Sequence, residues 1–166
     1  MKRTKTKIKN KISEFLKKNN IKHSLLSHKK VFTAFDEAET QGKKLGEIAK
    51  AVLVKAEKEL ALIVVPAGKY VDFKNVKKAL KAKKVSIAKE LDITNKLKTK
   101  IGLLHAFGNL YGSKGNKITT LLDDALAKSK KIITAAGSYT ESVELSMKDF
   151  EKLVAPIKGS FSKRKK

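Results

Sequence analysis

The chain has 166 residues, 41% of them hydrophobic, so it is long enough for one domain with a sizeable core. It contains no cysteine and three histidines, which excludes disulfides, a thiolate nucleophile and a cysteine metal site, and argues against a histidine-only zinc site. The formal net charge of +23 makes a polyanion, nucleic acid first, the natural partner, because each neutralised phosphate releases counterions.

The positive charge is carried almost entirely by lysine. Of the 39 basic residues, only Arg3 and Arg164 are arginine. Lysine is a point charge without the bidentate fork that reads base edges, so we expect attraction to a phosphate backbone rather than sequence reading. The alternative is a lysine-biased composition in which much of this charge is solvated surface.

The sequence has no targeting or membrane signal. A basic N-terminus is followed by the mixed segment 8–15 rather than an apolar one, and no apolar run is long enough to span a bilayer. We therefore expect a soluble, cytoplasmic protein without a membrane partner. The oligomeric state stays undetermined.

The first predicted element is an amphipathic helix after the basic N-terminal lead. We assign residues 1–19 to this lead and helix and treat them as part of the main domain. Its apolar residues follow helical spacing: Ile8, Ile12, Phe15 and Leu16.

Two further elements precede the centre of the chain. Weak alternation over residues 21–27 predicts a strand. Residues 34–41 are predicted to form a second helix, for which Thr33 or Asp36 provides the cap and Gly42 the end.

An apolar hairpin lies at the centre of the sequence. Two β-branched runs, 51–56 and 60–65, flank a short charged connection, a pattern typical of an antiparallel hairpin buried mostly on one face. Alternation puts Lys50 on the more apolar face, together with Val52 and Val54. Its ammonium either bends outward to solvent or points into a pocket to meet an anion or a carbonyl.

A lysine-rich segment follows. From Asp72 onward, apolar residues at helical spacing predict a helix, and residues 85–87 a short strand. Residues 74–100 contain ten lysines but only two acidic residues, Glu90 and Asp92. This segment is the strongest internal basic stripe.

Residues 101–115 are predicted to form an apolar strand that opens into a loop with three closely spaced glycines. Glycine lets a backbone approach a ligand or take positive φ. The spacing matches neither a Walker P-loop nor a dinucleotide fingerprint, so by itself this segment is a turn.

The C-terminal third alternates short elements. We predict a helix at 121–127, a strand at 131–135, a tight turn at 137–139 and a strand at 142–145. Ser146 should cap a last helix, 147–154, which Pro156 ends. Residues 157–166 are basic and are predicted to be a flexible tail.

Three ordered segments resemble the YbaK and prolyl-tRNA-synthetase-associated family. The first combines residues 31–38, which contain Phe32-Thr33-Ala34, with residues 48–54, where Lys50 occupies the family's lysine position. The second is similar to a Thr-Gly strand and a Pro-Phe-Gly loop: Ile101-Gly102, then Leu110-Tyr111-Gly112. The third is similar to the family's closing Gly-Ser turn, strand and helix: Ala136-Gly137-Ser138, Val143-Glu144-Leu145-Ser146 and Asp149-Phe150.

The resemblance implies an α+β fold with a mixed, curved, barrel-like β-sheet surrounded by helices, and an editing domain over residues 20–156. The implied activity is hydrolysis of a mischarged aminoacyl-tRNA ester in trans, most often Ala or Cys on a tRNA for proline, with no cofactor and no metal. The implied partners are the aminoacylated 3′ end of tRNA and, as a second candidate, an aminoacyl-tRNA synthetase. Lys50 takes the catalytic role, and the implied substrate-binding residues are His28, Phe32, Thr33, Gly102, Leu110, Tyr111, Gly112, Gly137, Ser138 and Tyr139.

The sequence departs from the family pattern at four places: Ala51 and Ile101 replace threonines, Asn109-Leu110 replaces loop prolines, and Tyr139 replaces a frequent histidine. These departures leave open another amino-acid preference, a lower rate, or a basic RNA-binding module that has lost turnover. His28 and His105 also have a simpler interpretation as hydrogen-bonded structural histidines.

Overall fold

The structure is a computed structural model that describes residues 11–27, 48–57, 59–89, 105–108, 118–138 and 141–164. Four helices are described: α1 Lys11–Lys18, α2 Phe73–Leu80, α3 Asp124–Ala127 and α4 Met147–Val154. The strands are β1 His23–Ser27, β2 Ala49–Ala56, β3 Glu59–Pro66, β4 Lys69–Val71, β5 Val85–Ile87, β6 Thr119–Asp123, β7 Lys131–Ser138, β8 Glu141–Ser146, β9 Ile157–Gly159 and β10 Ser162–Arg164.

The three longer helices are amphipathic and bury their apolar stripes. In α1, Ile12 and Leu16 are buried one turn apart. The predicted helix after Asp72 is confirmed, because the Asp72 carboxylate accepts the N–H groups of Lys74 and Asn75 at the start of α2. The predicted cap of α4 is also confirmed.

The largest sheet has the order β5-β2-β3-β6-β9. The predicted hairpin is confirmed as β2 and β3, whose register runs from Ala49 opposite Pro66 to Ala56 opposite Glu59. β6 then pairs parallel to β3, and β9 parallel to β6. The sheet is therefore mixed.

The remaining described strands form two smaller sheets. β1, β8 and β7 form an antiparallel sheet in that order, and β4 pairs with β10 in a two-stranded ribbon. A parallel bridge between Ile48 and Ile133 links the start of β2 to β7. The predicted mixed α+β architecture is confirmed, but the pairings among the described residues leave the sheets open rather than closed into a barrel.

Among the described residues, the core has two clusters, one on each face of the central hairpin. Leu53, Leu62 and Val64 belong to the first cluster, which includes buried residues of α1 and α4. Val54, Ile63, Val65, Val71, Val76 and Phe161 belong to the second, which includes α2 and the C-terminal segment. The expectation that the hairpin is buried mostly on one face was therefore wrong, because helices or strands cover both faces.

The segment predicted as a helix over residues 121–127 is divided in the structure. Leu121 and Leu122 lie in β6, and the helix α3 begins only at Asp124. Both leucines are fully buried, because a parallel strand inside the sheet is covered on both faces. Similarly, Gly137 and Ser138, predicted to lie in a tight turn, belong to the irregular end of β7.

The C-terminal segment was predicted to be a flexible tail, and the part of it that the structure describes is paired into β9 and β10. The anchor is Phe161, which is only 3% exposed. Its N–H donates to Asp123 Oδ1 over 2.7 Å, and its carbonyl accepts the N–H of Asp72 over 2.8 Å. Burial of the Phe161 side chain and its hydrogen bond to the buried Asp123 carboxylate thus hold this segment in place despite its basic composition.

Several predictions fall outside the described residues. They are the helix at 34–41, the strand at 101–104 and the glycine loop from residue 109 to 115. Within the described ranges, none of the helices is long and apolar enough to cross a membrane.

Candidate functional site

Lys50 lies near the start of β2, opposite Val65 of β3. Strand alternation places its side chain on the face of Val52 and Val54, both of which pack in the second core cluster. The residue is half-buried. Its aliphatic stem therefore runs along apolar side chains at the edge of that cluster, as the sequence predicted.

The ammonium of Lys50 is held by the backbone. Nζ donates a hydrogen bond to the carbonyl oxygen of Lys69 over 2.8 Å. Lys69 begins β4, directly after the turn from β3, and the turn is tied to β2 because the N–H of Ala67 donates to the carbonyl of Ile48 over 2.9 Å. Of the two orientations that the sequence left open, the structure therefore shows the ammonium directed at a carbonyl.

The strand β7, which has an irregular end, meets the chain at the start of β2. An isolated parallel bridge joins Ile48, directly before β2, to Ile133 of β7. Directly after Ala135 the pairing of β7 with β8 shifts its register, and it resumes at Ser138. Such irregularities turn backbone groups away from the strand ladder. The bridge therefore brings the start of β2, which carries Lys50, next to the strand that carries Gly137 and Ser138.

The other predicted site residues lie outside the described residues: His28, Phe32, Thr33, Gly102, Leu110, Tyr111, Gly112 and Tyr139. Of the predicted set, the structure thus describes Lys50, Gly137 and Ser138.

Ala51, the nearest departure from the family pattern, lies on the opposite face from Lys50. It packs against the first core cluster. Its methyl group therefore does not share the apolar face along which the Lys50 stem runs. A threonine at this position would place its hydroxyl toward the first cluster rather than beside the ammonium.

His105 is a structural histidine. Burial lowers its pKa from 6.5 to about 3, so the ring is neutral. Nδ1 accepts the N–H of Phe107 over 3.1 Å, and the Phe107 ring lies 5.8 Å away between centroids. The neighbouring Ala106 N–H donates to Thr134 Oγ1 of β7. These contacts attach residues 105–108 to the core, and the low pKa keeps the His105 ring from gaining a second proton near neutral pH.

The sequence did not identify Lys69 as part of the site. Lys69 contributes only its main-chain carbonyl oxygen. Every residue type has this group, so the amino-acid sequence does not indicate which residue will hold the Lys50 ammonium. The position of this oxygen depends on the turn at residues 66–68, and the hydrogen bond that connects this turn to Ile48 depends on the register of the hairpin.

Among the described residues, nothing marks the Lys50 site as a metal centre. In the described part of the chain, no group of three or more His, Cys, Asp or Glu side chains is gathered as a metal centre requires. A cavity of about 380 Å³ lies at the far end of the hairpin, lined partly by Glu57 and Lys81. Glu57 lies seven positions after Lys50 in the sequence, which corresponds to about 23 Å of extended strand. That cavity is therefore not part of the Lys50 site.

Chemically, the described arrangement is a lysine ammonium that a main-chain carbonyl holds near the start of β2. Such a group stabilises negative charge that develops on a carbonyl oxygen or a phosphate. The ammonium would therefore stabilise the transition state of a neutral substrate that becomes anionic during the reaction.

Comparison with solved structures shows the same fold in other proteins. A hypothetical protein is 19% identical with a TM-score of 0.83, over 92% of this chain and 99% of that one. A candidate trans-editing enzyme for prolyl-tRNA synthetase is 16% identical with a TM-score of 0.76, over 93% and 94%. A candidate signal transduction protein from Marinobacter aquaeolei VT8 is 15% identical with a TM-score of 0.65, over 91% of this chain and 30% of that one. At these identities the likeness establishes the fold alone.

Comparison with curated proteins gave no significant match. The family model described as the aminoacyl-tRNA editing domain matches residues 28–153. This range includes Lys50, both strands of the hairpin and the irregular end of β7, and it spans well over half of the chain. The chain therefore belongs to the aminoacyl-tRNA editing domain family.

Proposed function

We propose that the protein is an aminoacyl-tRNA deacylase that acts in trans, with Lys50 as its electrostatic centre. The observation that carries the proposal is the half-buried Lys50 ammonium, positioned by the Lys69 carbonyl within the range that matches the editing domain. A lysine on an apolar face needs a compensating partner, and its position near the start of β2 is accounted for if the charge serves a reaction.

The reaction is the hydrolysis of the ester between an amino acid and a tRNA ribose. A water oxygen adds to the ester carbonyl, and negative charge develops on the carbonyl oxygen. The carbon–ribose oxygen bond then breaks, and the proton from water passes to the ribose oxygen. A donor aimed at the developing oxyanion is worth about 10²- to 10³-fold in rate. Lys50 would provide this donor, and the backbone near Gly137 and Ser138 would provide others.

For the substrate we propose a tRNA for proline that carries alanine or cysteine, in the cytoplasm where translation takes place. Support comes from the resemblance of the sequence motifs and from the structural similarity to a candidate trans-editing enzyme for prolyl-tRNA synthetase. The net charge of +23 suits a tRNA partner. A prolyl-tRNA synthetase is the corresponding proposed protein partner.

The test is release of amino acid from a panel of mischarged tRNAs, measured for the wild type and for Lys50→Met, which keeps the apolar stem. We expect the wild type to deacylate at least one tRNA of the panel, and Lys50→Met to be strongly impaired while its tRNA affinity changes little. If the wild type binds tRNA but releases no amino acid from any of them, the enzyme proposal fails. The same scaffold would then be a basic tRNA-binding module, the alternative that the charge of the chain favours.

A further inference from the structure

The ribbon of β4 and β10 presents an aromatic residue and a lysine side by side. Tyr70 and Lys163 are directly paired in the antiparallel register, so their side chains project to the same face. Tyr70 is 51% exposed, and Lys163 is also exposed. Val71, the next residue along β4, is buried in the second core cluster. Successive side chains of a strand point to opposite faces, so the face that carries Tyr70 is the outer face of the ribbon.

The strand that carries Tyr70 also holds Lys50. The carbonyl that accepts the Lys50 ammonium belongs to Lys69, the residue directly before Tyr70. Consecutive Cα atoms lie about 3.8 Å apart, so Tyr70 is an immediate neighbour of the backbone group that positions Lys50. A ligand that lies on Tyr70 thus lies on the strand whose main-chain carbonyl holds the Lys50 ammonium.

The ribbon is firmly attached to the rest of the fold. Phe161, the residue directly before β10, is buried and forms hydrogen bonds with Asp123 and Asp72. Asn75 of α2 also donates its side-chain N–H to the carbonyl of Ser160 over 2.9 Å. The outer face is therefore a fixed surface rather than a loose strand end, as a stacking platform requires.

An exposed aromatic ring beside a cation matches the chemistry of a single-stranded nucleic acid. Unpaired bases stack on aromatic rings, and the phosphates that join them pair with lysine. The helix α2 carries more exposed lysines, among them Lys74, Lys77 and Lys78, but its exposed residues include no aromatic ring. Those lysines suit general attraction to a phosphate backbone, whereas the ribbon adds a surface for a base.

We propose that Tyr70 and Lys163 bind the unpaired 3′ end of tRNA, with one base stacked on the Tyr70 ring and an adjacent phosphate paired with Lys163. The ribbon thereby guides the aminoacyl ester, which lies at that 3′ end, toward Lys50. The identity of the ligand rests on the proposed function. The binding surface itself is assigned from the exposure, the pairing and the charge of the two side chains.

The test is binding of two uncharged RNAs: a transcript of a tRNA for proline, and the same transcript without its unpaired 3′ nucleotides. The proteins are the wild type, Tyr70→Ala, Tyr70→Phe, Lys163→Glu and the control Lys77→Glu on α2. Removal of one stacked base weakens affinity about 5- to 150-fold. We expect Tyr70→Ala to lose affinity within this range for the complete transcript alone, and Tyr70→Phe to retain it.

The two charge reversals separate local from general attraction. Lys163→Glu should weaken binding of the complete transcript more than that of the shortened one, whereas Lys77→Glu should weaken both equally. The inference is overturned if Tyr70→Ala binds both transcripts as the wild type does, or loses affinity for both equally.

Because these RNAs carry no amino acid, the result does not depend on turnover. If Tyr70→Ala weakens RNA binding as expected but the wild type deacylates no tRNA, the proposed function is wrong and the inferred binding surface still holds. Deacylation with an unchanged KM in Tyr70→Ala would contradict the surface alone.

Discussion

The attachment of the C-terminal segment through Asp123 gives the clearest stability prediction. Asp123 is 2% exposed and ends β6. Its carboxylate accepts the N–H of Phe161 over 2.7 Å, the hydroxyl of Ser162 over 2.8 Å and the N–H of Ala125 over 3.1 Å. One side chain thus caps α3 and holds the segment that continues into β10.

Replacement by alanine, Asp123→Ala, removes all three acceptor contacts. The Phe161 N–H is in a buried bond, and leaving it unsatisfied costs about 1–3 kcal/mol. Ala125 and Ser162 lie nearer to solvent and can turn to water, so each loses about 1 kcal/mol. We expect the free energy of unfolding to fall by about 3–5 kcal/mol.

Urea unfolding measures this loss, and amide hydrogen exchange of residues 157–164 locates it. The matched control is Asp124→Ala, an exposed acid in the first turn of α3, which should cost less than about 1 kcal/mol. The reasoning is refuted if Asp123→Ala unfolds within 1 kcal/mol of the control, or if exchange at Phe161 is unchanged.

Two further predictions concern the residues that attach the segment 105–108 to the core. A Cβ at Gly108 would collide with Thr120 Oγ1 and lie 2.7 Å from the carbonyl oxygen of Ile118, so Gly108→Ala should lower the free energy of unfolding by about 1–3 kcal/mol in thermal or urea unfolding, and an unchanged melting temperature would contradict this packing. The pKa of His105 is about 3 in the folded protein and 6.5 in a model peptide, so below pH 6.5 the unfolded chain binds a proton that the folded one does not. Stability should therefore fall as the pH is lowered from 6.5 toward 3, by up to about 1.4 kcal/mol per pH unit from this group. His105→Asn, which keeps an acceptor for the Phe107 N–H, should remove that part of the slope, and an identical slope in the variant would count against burial of a neutral ring.

Local patterns in the sequence were sufficient for much of the fold. The apolar spacing of α1, the Asp72 and Ser146 caps and the hairpin with its charged turn all act over a few residues, and the structure has them where the sequence predicted them. These features form for reasons that lie within one element.

Features that depend on distant contacts were not predictable in this way. Leu121 and Leu122 fit a helix or a buried strand equally well, and only their parallel pairing with β3 decides between the two. The C-terminal segment has the composition of a solvated tail, but Phe161 finds a buried site formed by residues far away in the chain. Tertiary burial outweighs local composition in both cases.

The candidate site shows the same division. Alternation within one strand predicted the apolar face of Lys50, and the structure agrees. The partner of its ammonium, the Lys69 carbonyl, could not be predicted, because it depends on the turn that follows β3 folding back onto β2. The adjacent Tyr70 face became recognisable only after β10 had been found paired to β4.

The most direct test of the account is a single-turnover deacylation rate measured at saturating protein, with an Ala-charged tRNA for proline. Three proteins are compared: the wild type, Lys50→Met, and Lys55→Met, which alters the other half-buried lysine of β2, on the opposite face. Loss of one oxyanion donor predicts a rate about 10²- to 10³-fold lower for Lys50→Met, with Lys55→Met close to the wild type. If Lys50→Met deacylates at the wild-type rate, Lys50 is not the electrostatic centre of the reaction.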